Sequence, residues 1–396
     1  MPDILKISLV FVLILLLLRK KLNIGYVMLA ASALMFLLYR MSFDSILNTF
    51  KNAFLSSVTI KLILALSFIR MFELILREHD VLTRMMSSVK AIFRNRRIVI
   101  ISMPLLIGLI PSVGGAYFSA PMVAETTGDL KMSQEEKGFV NYWFRHPWEY
   151  ILPLYPGVLL ASAISKTELH ALISANLPCA GLILITGFLF SMHCVRGTVK
   201  IEEGLSRKGL WSFVPIIVIL LLVVTFRIEL HYALITVVAF LFVFYRYSLK
   251  STVAAFRHGF SPDVIVLIIG VMVFKEAMEY SGAVGNLSRL FIEQGIPTAP
   301  ILFLLPFVTG ILTGLTVGFV GSTFPLLLSL AGNISPADIS FAFASGFLGV
   351  LLSPVHICLV LTREYFRADL WGIYKFMLPG CAIIFCGAVA QYLILR

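Results

Sequence analysis

Residues 39–54 read YRMSFDSILNTFKNAF, and residues 245–260 read YRYSLKSTVAAFRHGF. The second stretch repeats the first at an offset of 206 positions (245 minus 39), with Tyr, Arg and Ser at matching places and Phe returning twice. Phe68 and Glu73 match Phe274 and Glu279 at the same offset. Self-similarity over such a distance indicates that the chain contains two structural repeats of one architecture.

The composition is typical of a membrane protein. Hydrophobic residues make up 59% of the 396 residues and charged residues only 13%, with a mean hydropathy of +0.96. A soluble domain carries about 25% charged residues. The sequence therefore predicts an all-α polytopic membrane protein. The predicted crossings lie near residues 4–18, 24–39, 55–76, 138–165, 171–192, 211–226, 230–245, 263–280, 337–361 and 372–393.

The net charge of +11 does not indicate nucleic-acid binding, because the basic residues form no single patch. They follow the ends of apolar runs, as Arg19, Lys20 and Lys21 do after the first run. If these loops face the cytoplasm, the positive-inside rule is obeyed. The first run lacks a small-residue cleavage site, so it is predicted to be a retained helix with Met1 outside. The expected location is the plasma membrane, with multiple crossings.

Five predicted crossings fall in each half of the chain. An odd number makes the second half begin on the opposite face, so the repeat is predicted to be inverted, about an axis in the membrane plane. The predicted domains are a first repeat over 1–195, a basic cytoplasmic linker over 196–209 and a second repeat over 210–396.

Two apolar stretches are too rich in Gly and Pro to form continuous helices. They lie at about 98–131 and about 298–333, and each has the length of a re-entrant helical hairpin. Irregular backbone at membrane depth survives only inside protein or beside a cavity, so the hairpin tips are predicted at 112–119 and 316–323. The alternative is that the glycines only allow helices to pack closely. Capping boxes at Ser133 and Ser335 then start the next helix in each half.

The tips carry most of the candidate binding residues. A half-helix that begins at membrane depth presents free N–H groups and a partial positive charge, which suit a small anion. Hydroxyls and unwound carbonyl groups suit Na⁺. Taken singly, each Ser or Thr is better explained by a hydrogen bond between helices, whereas the two matched groups together indicate a site. The candidates are Ser112, Gly114, Gly115, Ser119, Thr316, Gly318, Gly321, Ser322 and Thr323.

A helix interrupted by proline follows each hairpin. The first contains FRHPWEY at 144–150 and PLYPG at 153–157, and the second contains SPVH at 353–356. A charge at the bilayer centre costs about 2.5–3.5 kcal/mol, so polar residues there require a partner or a cavity. The alternative places Arg145 and His146 at the membrane interface. The further site candidates are His146, Glu149, Pro153, Pro354 and His356.

Paired hairpins and proline-broken helices resemble the ion transporter superfamily of secondary carriers. Within it, PSVGG at 111–115, FRHPWEY at 144–150 and PLYPG at 153–157 are similar to an uncharacterised prokaryotic family, domain of unknown function 401. The resemblance covers nearly the whole chain and implies elevator-like alternating access. Dicarboxylate carriers of the superfamily use Ser-Asn-Thr at their tips, and neither tip here has Asn. This departure puts a Na⁺-coupled dicarboxylate carrier in doubt.

The resulting hypothesis is a secondary transporter of a small organic anion, coupled to Na⁺ or H⁺, and not an enzyme. The alternatives are a lipid-carrier translocase, a passive channel and, less favoured, a membrane-embedded hydrolase using Ser322 and His356. The expected partners are the lipid bilayer and an anionic substrate, with a homodimer left open. The five cysteines lack metal-binding spacing and are interpreted as small buried hydrophobes. No metal or cofactor is expected beyond the coupling ion.

Overall fold

The fold is helical over the residues that the computed structural model describes, which are 2–20, 22–93, 95–111, 115–192, 195, 207–283, 297–330 and 335–395. The helices of the first half are α1 (Asp3–Arg19), α2 (Ile24–Leu38), α3 (Phe43–Leu55), α4 (Ser57–Glu78), α5 (Val81–Ile92), α6 (Arg96–Gly108), α7 (Gly115–Thr126), α8 (Gln134–Trp143), α9 (Trp148–Ile151), α10 (Pro156–Ser165) and α11 (Leu169–Ser191).

The second half begins with a 3₁₀ segment (Arg207–Phe213), followed by α12 (Val214–Leu220) and a π-helical turn (Leu221–Thr225). Its remaining described helices are α13 (Leu230–Phe244), α14 (Leu249–Gly259), α15 (Pro262–Tyr280), α16 (Ala299–Thr313), α17 (Thr316–Leu330), α18 (Pro336–Leu351), α19 (Ile357–Phe366) and α20 (Leu370–Leu395). Most of the predicted linker, residues 196–206, lies outside the described residues.

The repeated Tyr-Arg-x-Ser stretch forms the same turn and helix start in both halves. Arg40 and Arg246 take positive φ angles of 48° and 52°, which ends the preceding helix. The hydroxyls of Ser42 and Ser248 then accept a hydrogen bond from the backbone N–H three residues later, at 3.2 and 3.1 Å. These are N-caps, which satisfy a backbone donor that a helix start leaves free. The sequence match therefore reflects a shared backbone structure.

Helices that correspond in the two halves pack reciprocally. Helix α2 packs on α15, and its counterpart α13 packs on α4. Likewise α10 packs on α17, and its counterpart α19 packs on α7. Each half therefore completes its core with elements of the other.

Both glycine-rich stretches form a pair of packed helices, α6 with α7 and α16 with α17. The second tip lies earlier than predicted. The chain turns at Gly314, where φ is +61°, and residues 316–323 are helical. The two glycines and three hydroxyl residues of 316–323 are tolerated in this helix because neighbouring turns and helices supply the packing. In the first tip, residues 115–119 are helical and residues 112–114 lie outside the described residues.

Both predicted capping boxes are present. Ser133 and Ser335 each accept from the N–H three residues later, and Glu136 and Asp338 accept from the N–H of the capping serine. The helices that they start are interrupted as the prolines predict. Helix α8 ends at Trp143 and the chain resumes in α9 and α10, whereas α18 ends at Leu351 and resumes in α19.

Two of the described helices, α11 and α20, are long and apolar enough to cross a membrane. Apolar helices of 10–17 residues accompany them, including α2, α13, α16 and α18. By length and composition, these helices are compatible with membrane association.

Candidate functional site

Four helices begin around one buried group of polar side chains. Helices α7, α10, α17 and α19 start at Gly115, Pro156, Thr316 and Ile357. The first two belong to the first half of the chain and the last two to the second. Helix starts carry free N–H groups and a partial positive charge. The arrangement therefore concentrates positive potential where the hairpins meet the broken helices.

Arg145 lies in the break between α8 and α9 and is only 3% exposed. Its guanidinium approaches the first residue of α7 so closely that a Cβ atom added to Gly115 would lie 2.0 Å from Nη1. A larger residue at this position would displace the guanidinium, so glycine allows Arg145 to lie this close to the start of α7. Arg145 thus adds a full positive charge beside the start of α7.

Glu149 joins the two halves of the chain through a hydrogen bond. The hydroxyl of Thr316, the first residue of α17, donates to Glu149 Oε2 at 2.6 Å. A Cβ atom on Gly157, near the start of α10, would lie 2.4 Å from Thr316 Cγ2. The starts of α10 and α17 are therefore in contact beside the Glu149 carboxylate.

His146 and His356 face each other across the two halves, with their Nε2 atoms 3.1 Å apart. His146 Nδ1 lies 2.6 Å from the carbonyl oxygen of Tyr142, and His356 Nδ1 lies 2.6 Å from that of Gly314. A carbonyl oxygen only accepts, so both Nδ1 atoms carry hydrogen. In the neutral rings both Nε2 atoms then present lone pairs to each other, an arrangement that a shared proton or a bound cation stabilises.

A cysteine that could bind a metal ion lies beside the histidine pair. Cys358, in the first turn of α19, is buried, and its Sγ lies within 4.8 Å of a ring nitrogen of both His146 and His356. Glu149 Oε1 lies 3.7 Å from His146 Nε2. Among the described residues, His146, His356 and Cys358 bring their ligand atoms close enough to hold a metal ion, and Glu149 lies next to this group.

Behind the site, Asn141 connects three helices. Its Oδ1 accepts from the hydroxyl of Ser119 at 2.6 Å, and its Nδ2 donates to the carbonyl oxygen of Ala116 and to the hydroxyl of Thr362. All three side chains are buried. Ser119 therefore holds α7 against α8, which is the helix-to-helix role that was its alternative interpretation.

The remaining hairpin candidates lie within α17. The hydroxyls of Ser322 and Thr323 donate to the carbonyl oxygens of Gly318 and Phe319, one turn earlier, at 2.6 Å each. Gly321 lies against the side chain of Val271. These hydroxyls are satisfied by their own helix. Since His356 contacts Gly314 and His146 instead, the described contacts do not pair Ser322 with His356 as a hydrolase would require.

Pro153 and Pro354 lie in the two breaks, between α9 and α10 and between α18 and α19. A proline cannot donate a backbone hydrogen bond and disfavours helix in the residue before it. Both prolines therefore place the neighbouring polar side chains off a regular helix. Ser112 and Gly114 lie outside the described residues.

The structure brings four predicted site residues together, namely His146, Glu149, Thr316 and His356. Gly115 lies against the guanidinium of Arg145, the residue before His146. Arg145, Asn141 and Cys358 were not among the predicted site residues. For Arg145 a signal existed, since it is a charge within an apolar crossing next to His146. For Cys358 the local sequence contained no signal, because its partners lie elsewhere in the chain.

Among curated proteins, none matches the chain. The family model described as "Protein of unknown function (DUF401)" matches residues 4–395. That range includes both hairpins, both breaks and every residue of the buried cluster. The chain therefore belongs to the DUF401 family.

Proposed function

We propose that this protein is a polytopic membrane protein that transports a small organic anion by alternating access, coupled to Na⁺ or H⁺. The observation that carries the proposal is the meeting of helix starts from both halves at buried polar side chains. Helices α10 and α17 begin in contact beside Glu149, and α7 begins against the guanidinium of buried Arg145. In transporters built from repeats, interrupted helices aim their positive ends at anionic substrates near the middle of the membrane.

The exposed apolar surface of the protein supports its placement in a lipid bilayer. Large apolar side chains on outer helices are exposed, among them Leu16 at 54%, Phe240 at 64% and Ile394 at 81%. A soluble protein buries such side chains or covers them with a partner, because exposed apolar area is costly in water. With the low charge fraction, this favours several crossings of the plasma membrane, including those that short helices make by local thinning.

Reciprocal packing supports an inverted repeat. Two halves related by a two-fold axis exchange equivalent contacts, as α2 on α15 and α13 on α4 do. If each half crosses the membrane five times, that axis lies in the membrane plane and the site falls near the axis.

The cluster suits a carboxylate substrate. A guanidinium binds a carboxylate through two parallel hydrogen bonds, and the helix starts add N–H donors. The Glu149 side chain is held in place by the hydrogen bond from Thr316. Since the cluster is buried, a substrate reaches it only if the hairpins move relative to the broken helices, which is what alternating access requires.

The test is uptake by the purified protein in liposomes. A thermal-shift screen of small organic anions, with and without Na⁺ and across pH, first selects a substrate, and counterflow of that anion is then measured. We expect saturable counterflow that falls by about tenfold to 100-fold in Arg145→Gln, since a hydrogen bond to a charged group contributes about 1.5–3 kcal/mol. Arg257→Gln, on the exposed surface of α14, is the matched control and should transport normally.

Unsaturable flux would indicate a channel and would overturn the proposal. Transfer of a labelled lipid headgroup without counterflow of any anion would favour the lipid-carrier alternative. Wild-type counterflow in Arg145→Gln would remove the assigned site.

A further inference from the structure

We propose that His146, His356 and Cys358 form a binding site for a divalent d-block cation of the Zn²⁺ class. The proposal does not depend on anion transport, because it concerns only the three ligands and their surroundings. One nitrogen from each ring and the cysteine sulfur lie within 4.8 Å of one another, and all three residues are buried. Imidazole nitrogen and thiolate sulfur are the ligands that Zn²⁺ prefers in proteins.

The orientation of the rings matches that of metal-bound histidines. Each Nδ1–H donates to a backbone carbonyl oxygen, at 2.6 Å from Tyr142 and from Gly314. Metal-bound histidines use one nitrogen for the ion and donate the other N–H to a carbonyl or carboxylate, which fixes the tautomer. Both Nε2 lone pairs are thereby directed to the space between the rings.

The separation of the two nitrogens fits one tetrahedral ion. With Zn–N distances of about 2.0–2.1 Å, two nitrogens on a tetrahedron lie about 3.3 Å apart. The observed Nε2 separation is 3.1 Å. Two Nε2 lone pairs that face each other at this distance repel, and either a shared cation or a shared proton removes that repulsion; the metal titration below distinguishes the two.

The charges of the neighbouring side chains fit a divalent ion. Glu149 Oε1 lies 3.7 Å from His146 Nε2 and is a candidate for a fourth ligand, and its other oxygen accepts a hydrogen bond from the hydroxyl of Thr316. A Cys thiolate and a Glu carboxylate together offset the two positive charges of the ion. The guanidinium of buried Arg145 adds a further positive charge, and because an uncompensated charge in a buried site is costly, a bound ion should be accompanied by an anion near Arg145.

The ligands come from both halves of the chain. His146 belongs to the break after α8, whereas His356 and Cys358 belong to the break before α19 and its first turn. A bound ion would therefore tie the two broken helices together at the candidate site. Because an ion that binds only the folded state stabilises it, the ion should also raise the melting temperature.

The test uses full-length protein in detergent, stripped with a chelator and titrated with Co²⁺ or Zn²⁺. We expect one ion per chain and a thiolate-to-cobalt charge-transfer band in the near ultraviolet. Cys358→Ala should lose this band and bind Zn²⁺ at least about 100-fold more weakly, since even outer-shell changes cost 10–100-fold. Cys179→Ala, which removes another buried thiol, is the matched control. It should keep the cobalt charge-transfer band and the wild-type affinity for Zn²⁺.

Thermal unfolding provides a second readout. It compares each variant with and without metal, so it still applies to a variant that is less stable than the wild type. Zn²⁺, but not Mg²⁺, should raise the melting temperature of the wild type and of Cys179→Ala, and should leave that of Cys358→Ala unchanged. Failure of stripped wild-type protein to bind Co²⁺ or Zn²⁺ would overturn the proposal and leave a shared proton between the rings. An unchanged cobalt band in Cys358→Ala would remove Cys358 from the site.

Discussion

At the scale of the residue, the position of Arg145 depends on the missing side chain of Gly115. A Cβ atom there would lie 2.0 Å from the guanidinium, closer than non-bonded atoms approach. We expect Gly115→Ala to displace Arg145 and to reduce anion counterflow by at least about tenfold. A reduction of this size corresponds to the loss of one charge-assisted hydrogen bond between the guanidinium and the anion. Counterflow in liposomes and the melting temperature of the purified variant are measured together.

Gly181→Ala is the matched control for this substitution. Gly181 lies within helix α11 and has nothing within 4 Å of the added Cβ position, so alanine fits and raises helix propensity. Its transport should equal that of the wild type. Equal transport by Gly115→Ala would show that the approach of Arg145 to α7 is not needed.

Thr316 and Glu149 form the second residue-scale contact that can be isolated. Thr316→Val keeps the shape of the side chain but removes the donor to the buried Glu149 carboxylate. We expect the free energy of unfolding to fall by about 1.5–3 kcal/mol, the range for a hydrogen bond to a charged group. Chemical denaturation of the purified protein measures it.

Thr316→Ser keeps the hydroxyl and loses only a methyl group, so it should cost about 1 kcal/mol or less. If serine and valine destabilise equally, the hydroxyl contributes nothing and packing against Gly157 explains the position.

At the scale of the element, each broken helix begins with a capping box. Ser133→Ala and Ser335→Ala should each lower the free energy of unfolding by about 1 kcal/mol, because each leaves a backbone donor at a helix start unsatisfied. Ser87→Ala is the control, since that hydroxyl only donates to a carbonyl oxygen in its own helix. A loss in Ser87→Ala as large as in the two caps would refute the capping explanation.

The repeat is also present in the backbone of corresponding elements. Lys166, which ends α10, has φ of +56°, and Arg367, which ends α19, has φ of +51°. Their offset of 201 positions (367 minus 166) is that of the two helices themselves. Left-handed residues other than glycine are uncommon, so their recurrence shows that the two halves share helix ends as well as side chains.

At the scale of the whole molecule, the proposed inverted repeat makes a prediction about sidedness. Asp44 and Lys250 are exposed residues at matching positions of α3 and α14. In a Cys386→Ala background, Asp44→Cys and Lys250→Cys should react with a membrane-impermeant thiol reagent from opposite sides. Labelling is compared in intact cells and in inverted vesicles, and reaction of both cysteines from one side would contradict inversion.

The sequence by itself determined the helical class, the N-capped helix start after each Tyr-Arg-x-Ser stretch, the breaks and the capping boxes. All of these depend on hydrogen bonds between residues three or four positions apart, or on the conformational limits of Gly and Pro. Local sequence therefore contains their cause. The predicted position of the second tip, 316–323, is wrong because glycines and hydroxyl residues favour a loop in the sequence. In the structure these residues are helical, and the hydroxyls of Ser322 and Thr323 donate to carbonyl oxygens of their own helix.

Only the tertiary structure decided which polar residues meet. His146 and His356 are 210 positions apart, and Glu149 and Thr316 are 167 positions apart. Whether such side chains touch depends on how distant helices pack, which no local pattern specifies. For the same reason Cys358 has no metal-binding spacing in the sequence, and packing places it beside two histidines that come from opposite halves of the chain.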